Sequence, residues 1–311
     1  MVIETRHLTK TFNGKGGCRD VSLSVGEGEV FGFLGPNGAG KSTLIKTLVG
    51  LCRPSSGEGK VLSRPVGDVQ ARRSIGYLPE LFRFQDYLTA EELLRFHARL
   101  YEMDMKGIDG RTDELLGICG IDEHKRQRIG TYSKGMQQRL GLASALLPSP
   151  KLVFLDEPTS ALDPVGRRDV RNIIEDLKND GVTVFLNSHL LSEVELTCDH
   201  VAIIDNGHII ASGSLDELMR RNKKLEIRLG SVDDAVLLAL KDEGREVSVH
   251  GSTLEIPIEG ESEIPGIVRT IAQNGGNIYE AGTSKTNLED IFIGMIDEER
   301  EGSGSNNRDE L

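Results

Sequence analysis

Long apolar runs are missing from this chain: nowhere in its 311 residues do about 18 apolar residues follow one another, which excludes a membrane-spanning helix of the ordinary kind. The first residues, Met1-Val2-Ile3-Glu4-Thr5-Arg6, lack a basic stretch leading into an apolar one, so no secretory signal is read there. The final Arg308-Asp309-Glu310-Leu311 faintly suggests a retention signal, a reading without force in the absence of an entry signal. Cysteine is sparse. The four thiols, at positions 18, 52, 119 and 198, are too scattered for a metal cluster and too few for a disulfide scaffold, which leaves reduced thiols in a cytosolic compartment. A basic excess is absent as well. With 37 Lys and Arg against 49 Asp and Glu, the net charge of -12 argues against a nucleic-acid partner, because phosphate-backbone binding rests on concentrated Lys and Arg.

What is present is a loop for phosphates. Gly35-Pro36-Asn37-Gly38-Ala39-Gly40-Lys41-Ser42-Thr43 follows an apolar strand, Val30-Phe31-Gly32-Phe33-Leu34, and continues into helical sequence from Leu44 to Val49. Glycines let the backbone curl with positive φ, so that several N–H groups point inward at an anion and the following helix presents its positive end. Lys41 adds a full charge for the β- and γ-phosphates of a nucleotide, and the Ser42 hydroxyl suits Mg²⁺.

The length suits two unequal domains. Short strands at Val2 to Thr5 and Val21 to Val25, separated by a Gly-rich turn around Asn13 to Gly17, predict an antiparallel edge sheet. A strand at Ser74 to Leu78 precedes Thr89-Ala90-Glu91-Glu92, a reciprocal capping pattern. Helically spaced Leu93, Leu94, Phe96, His97, Leu100 and Tyr101 follow, so about 83–130 reads as a helical insertion. Continuously apolar strands at Leu152 to Leu155 and Val182 to Leu186 predict parallel strands covered on both faces, with an amphipathic helix between them from about Gly166 to Lys178. A hairpin across Asp205-Asn206-Gly207 follows, and the α/β domain is placed at residues 1–221. Beyond a basic junction at Arg220 to Lys224, residues 222–300 read as β-α-β-β-α-β, the order of a small ferredoxin-like α+β domain. A closing helix runs from Leu288 to about Glu299, capped by Asn287, and a disordered tail occupies 301–311.

Two further segments bear on the nucleotide. Leu152-Val153-Phe154-Leu155-Asp156-Glu157-Pro158 is an apolar strand ending in paired carboxylates, where a parallel sheet presents its ligands. Asp156 suits the Mg²⁺ shell, and Glu157 is free to polarise a water aimed at the γ-phosphate. Between this strand and the phosphate loop lies Thr131-Tyr132-Ser133-Lys134-Gly135-Met136-Gln137-Gln138-Arg139-Leu140, a Ser-x-Gly turn running into a helix, whose amides and hydroxyl suit an anion.

Phosphate loop, Ser-Lys-Gly turn, Asp156-Glu157 strand, Ser160-Ala161-Leu162-Asp163 and Asn187-Ser188-His189 follow in this order, and the chain resembles the ATP-binding subunit of an ABC transporter over roughly residues 2 to 220. The resemblance implies an α/β P-loop NTPase core and a head-to-tail homodimer or heterodimer with two ATP molecules at its interface. Ser133 and Gly135 would reach the γ-phosphate held by the partner, Asp163 would lie in the loop crossing the seam, His189 would contact the γ-phosphate, and Phe12 would stack on adenine. Two departures stand out. Lys134 and Met136 replace a Gly and a Gln of the usual signature, and Glu80 stands where the family has a Gln. The Gln's role falls to Glu80 rather than to Gln85, because a carboxylate still holds a Mg²⁺-bound water. These features and the added C-terminal domain resemble the branch that pairs with separately encoded export-type (ABC-2) permeases. ATP and Mg²⁺ are the implied cofactors, a transmembrane permease the implied partner, and the inner face of the membrane the implied location. A soluble ATPase of the same family acting on a non-transport macromolecule is the alternative.

Overall fold

The computed structural model describes residues 1–221, 223–283 and 287–305, with the backbone alone for 220, 221 and 297–305. Contacts divide the chain into two units, Met1–Ser212 and Gly213–Leu311. The dividing line falls ahead of the Arg221 end read from the polar junction.

In the first unit, β1 (Ile3–Phe12) and β2 (Lys15–Val25) form a hairpin longer than its sequence pattern suggested, turning through Asn13 and Gly14, both at positive φ. Next come β3 (Val30–Leu34), α1 (Lys41–Leu48), β4 (Ser56–Val61), β5 (Arg64–Pro65), α2 (Val69–Arg72) and β6 (Ile75–Leu78). The polar β4 and β5, which carry no apolar alternation to predict them, extend the antiparallel sheet in the order β2-β1-β4-β5. The helical insertion supplies α3 (Ala90–Leu100) and α4 (Ile108–Ile118), and α5 (Lys134–Leu146) follows. Thr89 and Glu92 form the reciprocal cap expected of α3, each accepting from the other's backbone N–H.

The remaining elements are β7 (Leu152–Asp156), α6 (Pro164–Asn179), β8 (Thr183–Asn187), α7 (Leu191–Thr197), β9 (His200–Asp205) and β10 (His208–Ser214). They complete a six-stranded sheet ordered β10-β9-β3-β8-β7-β6, whose strands β9, β3, β8, β7 and β6 run parallel. Every residue of β3, β7 and β8 is buried, the pattern of a sheet covered on both faces. At its centre the Phe185 ring lies 5.3–5.5 Å, centroid to centroid, from Phe31, Phe33 and Phe154. Each such pair contributes about 0.5–1.5 kcal/mol beyond area burial, so β8 is held against both its neighbours, β3 and β7. The carboxyl ends of β3, β6, β7 and β8 therefore deliver Gly35, Glu80, Asp156 with Glu157, and His189 to one edge of the sheet.

The second unit holds α8 (Leu215–Arg221), β11 (Lys224–Leu229), α9 (Asp234–Asp242), β12 (Ser248–His250), β13 (Thr253–Pro257), α10 (Ile264–Gln273), β14 (Ile278–Thr283) and α11 (Leu288–Ser305). Its sheet order, β12-β13-β11-β14 with every pairing antiparallel, is the ferredoxin-like arrangement expected from element order. Leu225, Ile227 and Leu229 alternate inward against Val236, Leu240, Ile267 and Ile271 of the two helices. Asn287 caps α11 by accepting from the Asp290 N–H. That helix continues past Glu299 through Ser305, so 301–305 of the tail expected to be disordered are helical, while 306–311 lie outside the described residues.

Candidate functional site

The phosphate loop is built by contacts that only glycine permits. Gly40 caps α1 at φ 107°, and a Cβ there would lie 2.3 Å from the Gly17 carbonyl oxygen of β2. At Gly35 a Cβ would meet the Ile204 carbonyl oxygen at 2.2 Å. Both ends of the loop are thus pressed against neighbouring backbone, and the loop between them borders a cavity of about 380 Å³. Asn37, Gly38, Gly40, Lys41, Ser42 and Thr43 line one side, and Glu80, Glu157, Ser160, Asn187 and His189 the other. Pro36 turns the loop, accepting from the Ala39 N–H, and Ala39 is buried beneath it.

Lys41 Nζ donates to the carbonyls of Gly35 and Pro36, at 2.7 and 3.1 Å. Burial pushes its ammonium below the usual lysine range, against the opposing pull of Glu157, Asp156 and Glu80. Glu80 and Glu157 thus share the cavity wall with this cation, and Asp156 acts on it from the buried end of β7. Burial also pushes Glu157 above the usual carboxylate range, opposed by His189 and then Lys41. His189 Nδ1 lies 2.6 Å from Glu157 Oε2; with the carboxylate ionised the ring nitrogen is the donor, and Nε2 is left outside this contact.

Glu157 sits at φ 57°, a left-handed conformation that costs a side-chain-bearing residue about 1–2 kcal/mol. Its backbone is held there on both sides. The Glu157 N–H donates to the Asn187 carbonyl at 2.9 Å, and its own carbonyl accepts from Ser160 Oγ at 3.1 Å and from Gln138 Nε2 at 3.3 Å. Asp156, at the end of β7, accepts from Asn187 Nδ2. The Asn187 Oδ1 is buried without a partner among the described residues, on the wall of the cavity, where a ligand or a water would supply its donor.

The other expected residues lie away from this cavity. Ser133 caps α5, accepting from the Met136 N–H at 3.2 Å, and Gly135 is in the first turn beside Leu162. Asp163 caps α6 through the Gly166 N–H at 2.8 Å, a local role that its position before Pro164 announces. Phe12 ends β1 with its ring 53% exposed and Lys10 Nζ 5.0 Å above it. Sequence reasoning gave no role to Gln138 or to Asn187. The signal for Gln138 was a polar residue on the apolar face of a helix, and for Asn187 a strand-end amide level with Asp156 in register.

The donor set fits Mg²⁺: the Ser42 hydroxyl and the Asp156 and Glu80 carboxylates are hard oxygens gathered around the Lys41 charge. Among the described residues no group of three or more His, Cys, Asp or Glu is arranged to hold a metal ion.

The ABC transporter family matches residues 18–160, and the C-terminal domain of DrrA1-3-like ATP-binding proteins matches 213–296. An uncharacterized ABC transporter ATP-binding protein of Synechocystis is 37% identical over 308 residues, covering 96% of this chain and 85% of its own. The bacitracin transport ATP-binding protein of Bacillus licheniformis is 34% identical over 300 residues, covering 95% and 97%. The linearmycin resistance ATP-binding protein of Bacillus subtilis is 31% identical over 304 residues, covering 94% and 98%. Among solved structures, an ATP-binding subunit of an ABC transporter superposes with TM-score 0.66 at 31% identity, over 71% of this chain and 92% of that one. A dimeric post-hydrolysis cassette bound to ADP and Pi gives 0.63 at 25% identity, over 68% and 98%. With identity sustained along almost its whole length, the chain belongs to the ATP-binding subunits of ABC transporters and is an ATPase.

Proposed function

We propose that two ATP-binding subunits, either copies of this chain or this chain and a related one, close head-to-tail over ATP and Mg²⁺, and that this closure and its release by hydrolysis drive a separate export-type permease. The observation that carries the reading is the cavity joining Lys41 and the phosphate loop to the Glu157–His189 pair. Lys41 and the loop N–H groups bind the β- and γ-phosphates. Glu157, its carboxylate accepting from His189, takes the proton of the attacking water, and the free Nε2 of His189 faces the γ-phosphate. Ser42, Asp156 and Glu80 would hold Mg²⁺, which when bound neutralises phosphate charge. Phe12 stacks on adenine, and Ser133 and Gly135 contact the γ-phosphate bound by the opposite subunit, with Asp163 at the seam.

Relatives named for bacitracin transport and linearmycin resistance support an export role, and the DrrA1-3-like match supports a partner of the same kind for the second unit. No helix among the described residues is long and apolar enough to cross a membrane, so crossing falls to the permease and this subunit docks on its inner face. An apolar groove of about 360 Å³, lined by Phe82, Phe84, Leu100 and Tyr101, supports a permease contact, with Leu81 and Tyr87 exposed nearby in sequence. Glu157→Gln tests the chemistry. The variant is expected to bind ATP and dimerise while turnover falls at least about 100-fold; wild-type turnover would remove Glu157 from its role.

A further inference from the structure

We propose that Gln138 is a positioning residue that ties the two ATP sites of the dimer together within each subunit. The inference rests on the head-to-tail reading above and adds to it a residue and a route. Gln138 lies in α5 and is buried, with only 6% of its surface exposed, on a helix face otherwise made of Gly141, Leu142 and Ala145. A buried amide among such neighbours needs a hydrogen-bonding reason to be there. Its Nε2 donates to the carbonyl of Glu157 at 3.3 Å.

That carbonyl is the hinge of the catalytic carboxylate. Glu157 holds a left-handed backbone, and its peptide groups are fixed by Gln138 and Ser160 on one side and by the Asn187 carbonyl on the other. Rotation of this peptide would swing the carboxylate off His189. The helix that supplies Gln138 begins at Ser133, the turn assigned to the other subunit's nucleotide. A rigid helix thus joins the turn reading one ATP to the carboxylate that activates water at the other, over little more than one helical turn. Arg139, the next residue, anchors the same stretch by donating to the Cys119 carbonyl and to Asp169 of α6, so displacement of the turn is transmitted along α5 rather than absorbed by bending.

Substitutions at 138 that keep volume but change the donor test this in the purified full chain. Gln138→Met fills the same space without an N–H. Its ATP-driven dimerisation, thermal unfolding and KM for ATP are expected to match wild type, and kcat to fall about five- to tenfold, the worth of one lost hydrogen bond. Gln138→Glu presents a carboxylate that cannot donate while ionised and can when protonated. Its kcat relative to wild type is expected to rise as pH is lowered from 8 to 6, whereas the ratio for Gln138→Met stays flat. A merely structural residue would not produce that pH-dependent recovery. Wild-type kcat in Gln138→Met, a flat ratio in Gln138→Glu, or loss of dimerisation in Gln138→Met would each overturn the proposal. Failure of the wild type and of Glu157→Gln to dimerise with ATP would instead overturn the underlying function, so the two are separable.

Discussion

Two glycines of the phosphate loop give graded predictions, because the structure places different penalties on them. A Cβ at Gly38 meets nothing within 4 Å, so Gly38→Ala carries only the strain of φ 84°. That strain is about 1–2 kcal/mol for an L residue in the left-handed region. A Cβ at Gly40 faces φ 107° and in addition a carbonyl oxygen at 2.3 Å, roughly 1 Å inside ordinary contact. Overlap of that order adds about 1–3 kcal/mol. The loop relieves either strain by moving away from its phosphate-binding shape, so the cost falls on nucleotide affinity more than on the fold. Titration with a fluorescent ATP analogue is expected to show affinity lowered about 5- to 30-fold in Gly38→Ala and by more than about 30-fold in Gly40→Ala. Thermal unfolding of both is expected within about 5 °C of wild type. Binding by Gly40→Ala within threefold of wild type, or weaker binding by Gly38→Ala than by Gly40→Ala, would refute the reasoning.

Burial raises the Glu157 carboxyl in the native state, whereas in the unfolded chain it titrates near the ordinary value of about 4.3. Between those values the native protein binds more protons, so this group lowers stability as pH rises through the window, with the loss complete above the folded value. Nucleotide-free Glu157→Gln is therefore expected to melt above wild type at pH 8 and to converge with it below pH 4; a pH-independent difference would contradict the assignment. Phe12→Ala is expected to weaken ATP binding about tenfold with unchanged melting, as removal of an exposed stacking ring should, and equal affinity for ATP in the variant counts against the adenine contact. Thr89→Ala removes one half of the α3 cap and is expected to cost about 1 kcal/mol, read by denaturant unfolding, with phosphate binding intact.

The chemistry of the cavity was legible because it lies in contiguous motifs at strand ends. Gly35 to Thr43, Asp156-Glu157 and His189 each announce their residue types locally, and burial of continuous apolar strands then brings them to one edge. The ferredoxin-like order of the second unit was legible for a similar reason, with Gly244 and Gly275 at positive φ marking its helix ends. What escaped notice depends on contacts remote in sequence. Ser56–Val61 pairs with β1 although four of its six residues are exposed, so no alternation betrays it. The hydrogen bond of Gln138 to the Glu157 carbonyl spans 19 positions and uses main chain as its acceptor, which leaves no side-chain pattern to detect. The left-handed backbone of Glu157 is likewise set by the Asn187, Ser160 and Gln138 contacts and not by its own preference.

The central claim is that the phosphate loop of one subunit closes on the Ser133 turn of another. Asn37→Cys and Lys134→Cys, carried on separate chains that also contain Glu157→Gln and then mixed, report this closure directly through a short bifunctional thiol crosslinker. A crosslinked mixed dimer that forms with ATP and Mg²⁺ and is lost without nucleotide is the predicted result. No mixed crosslink while ATP is demonstrably bound would contradict it.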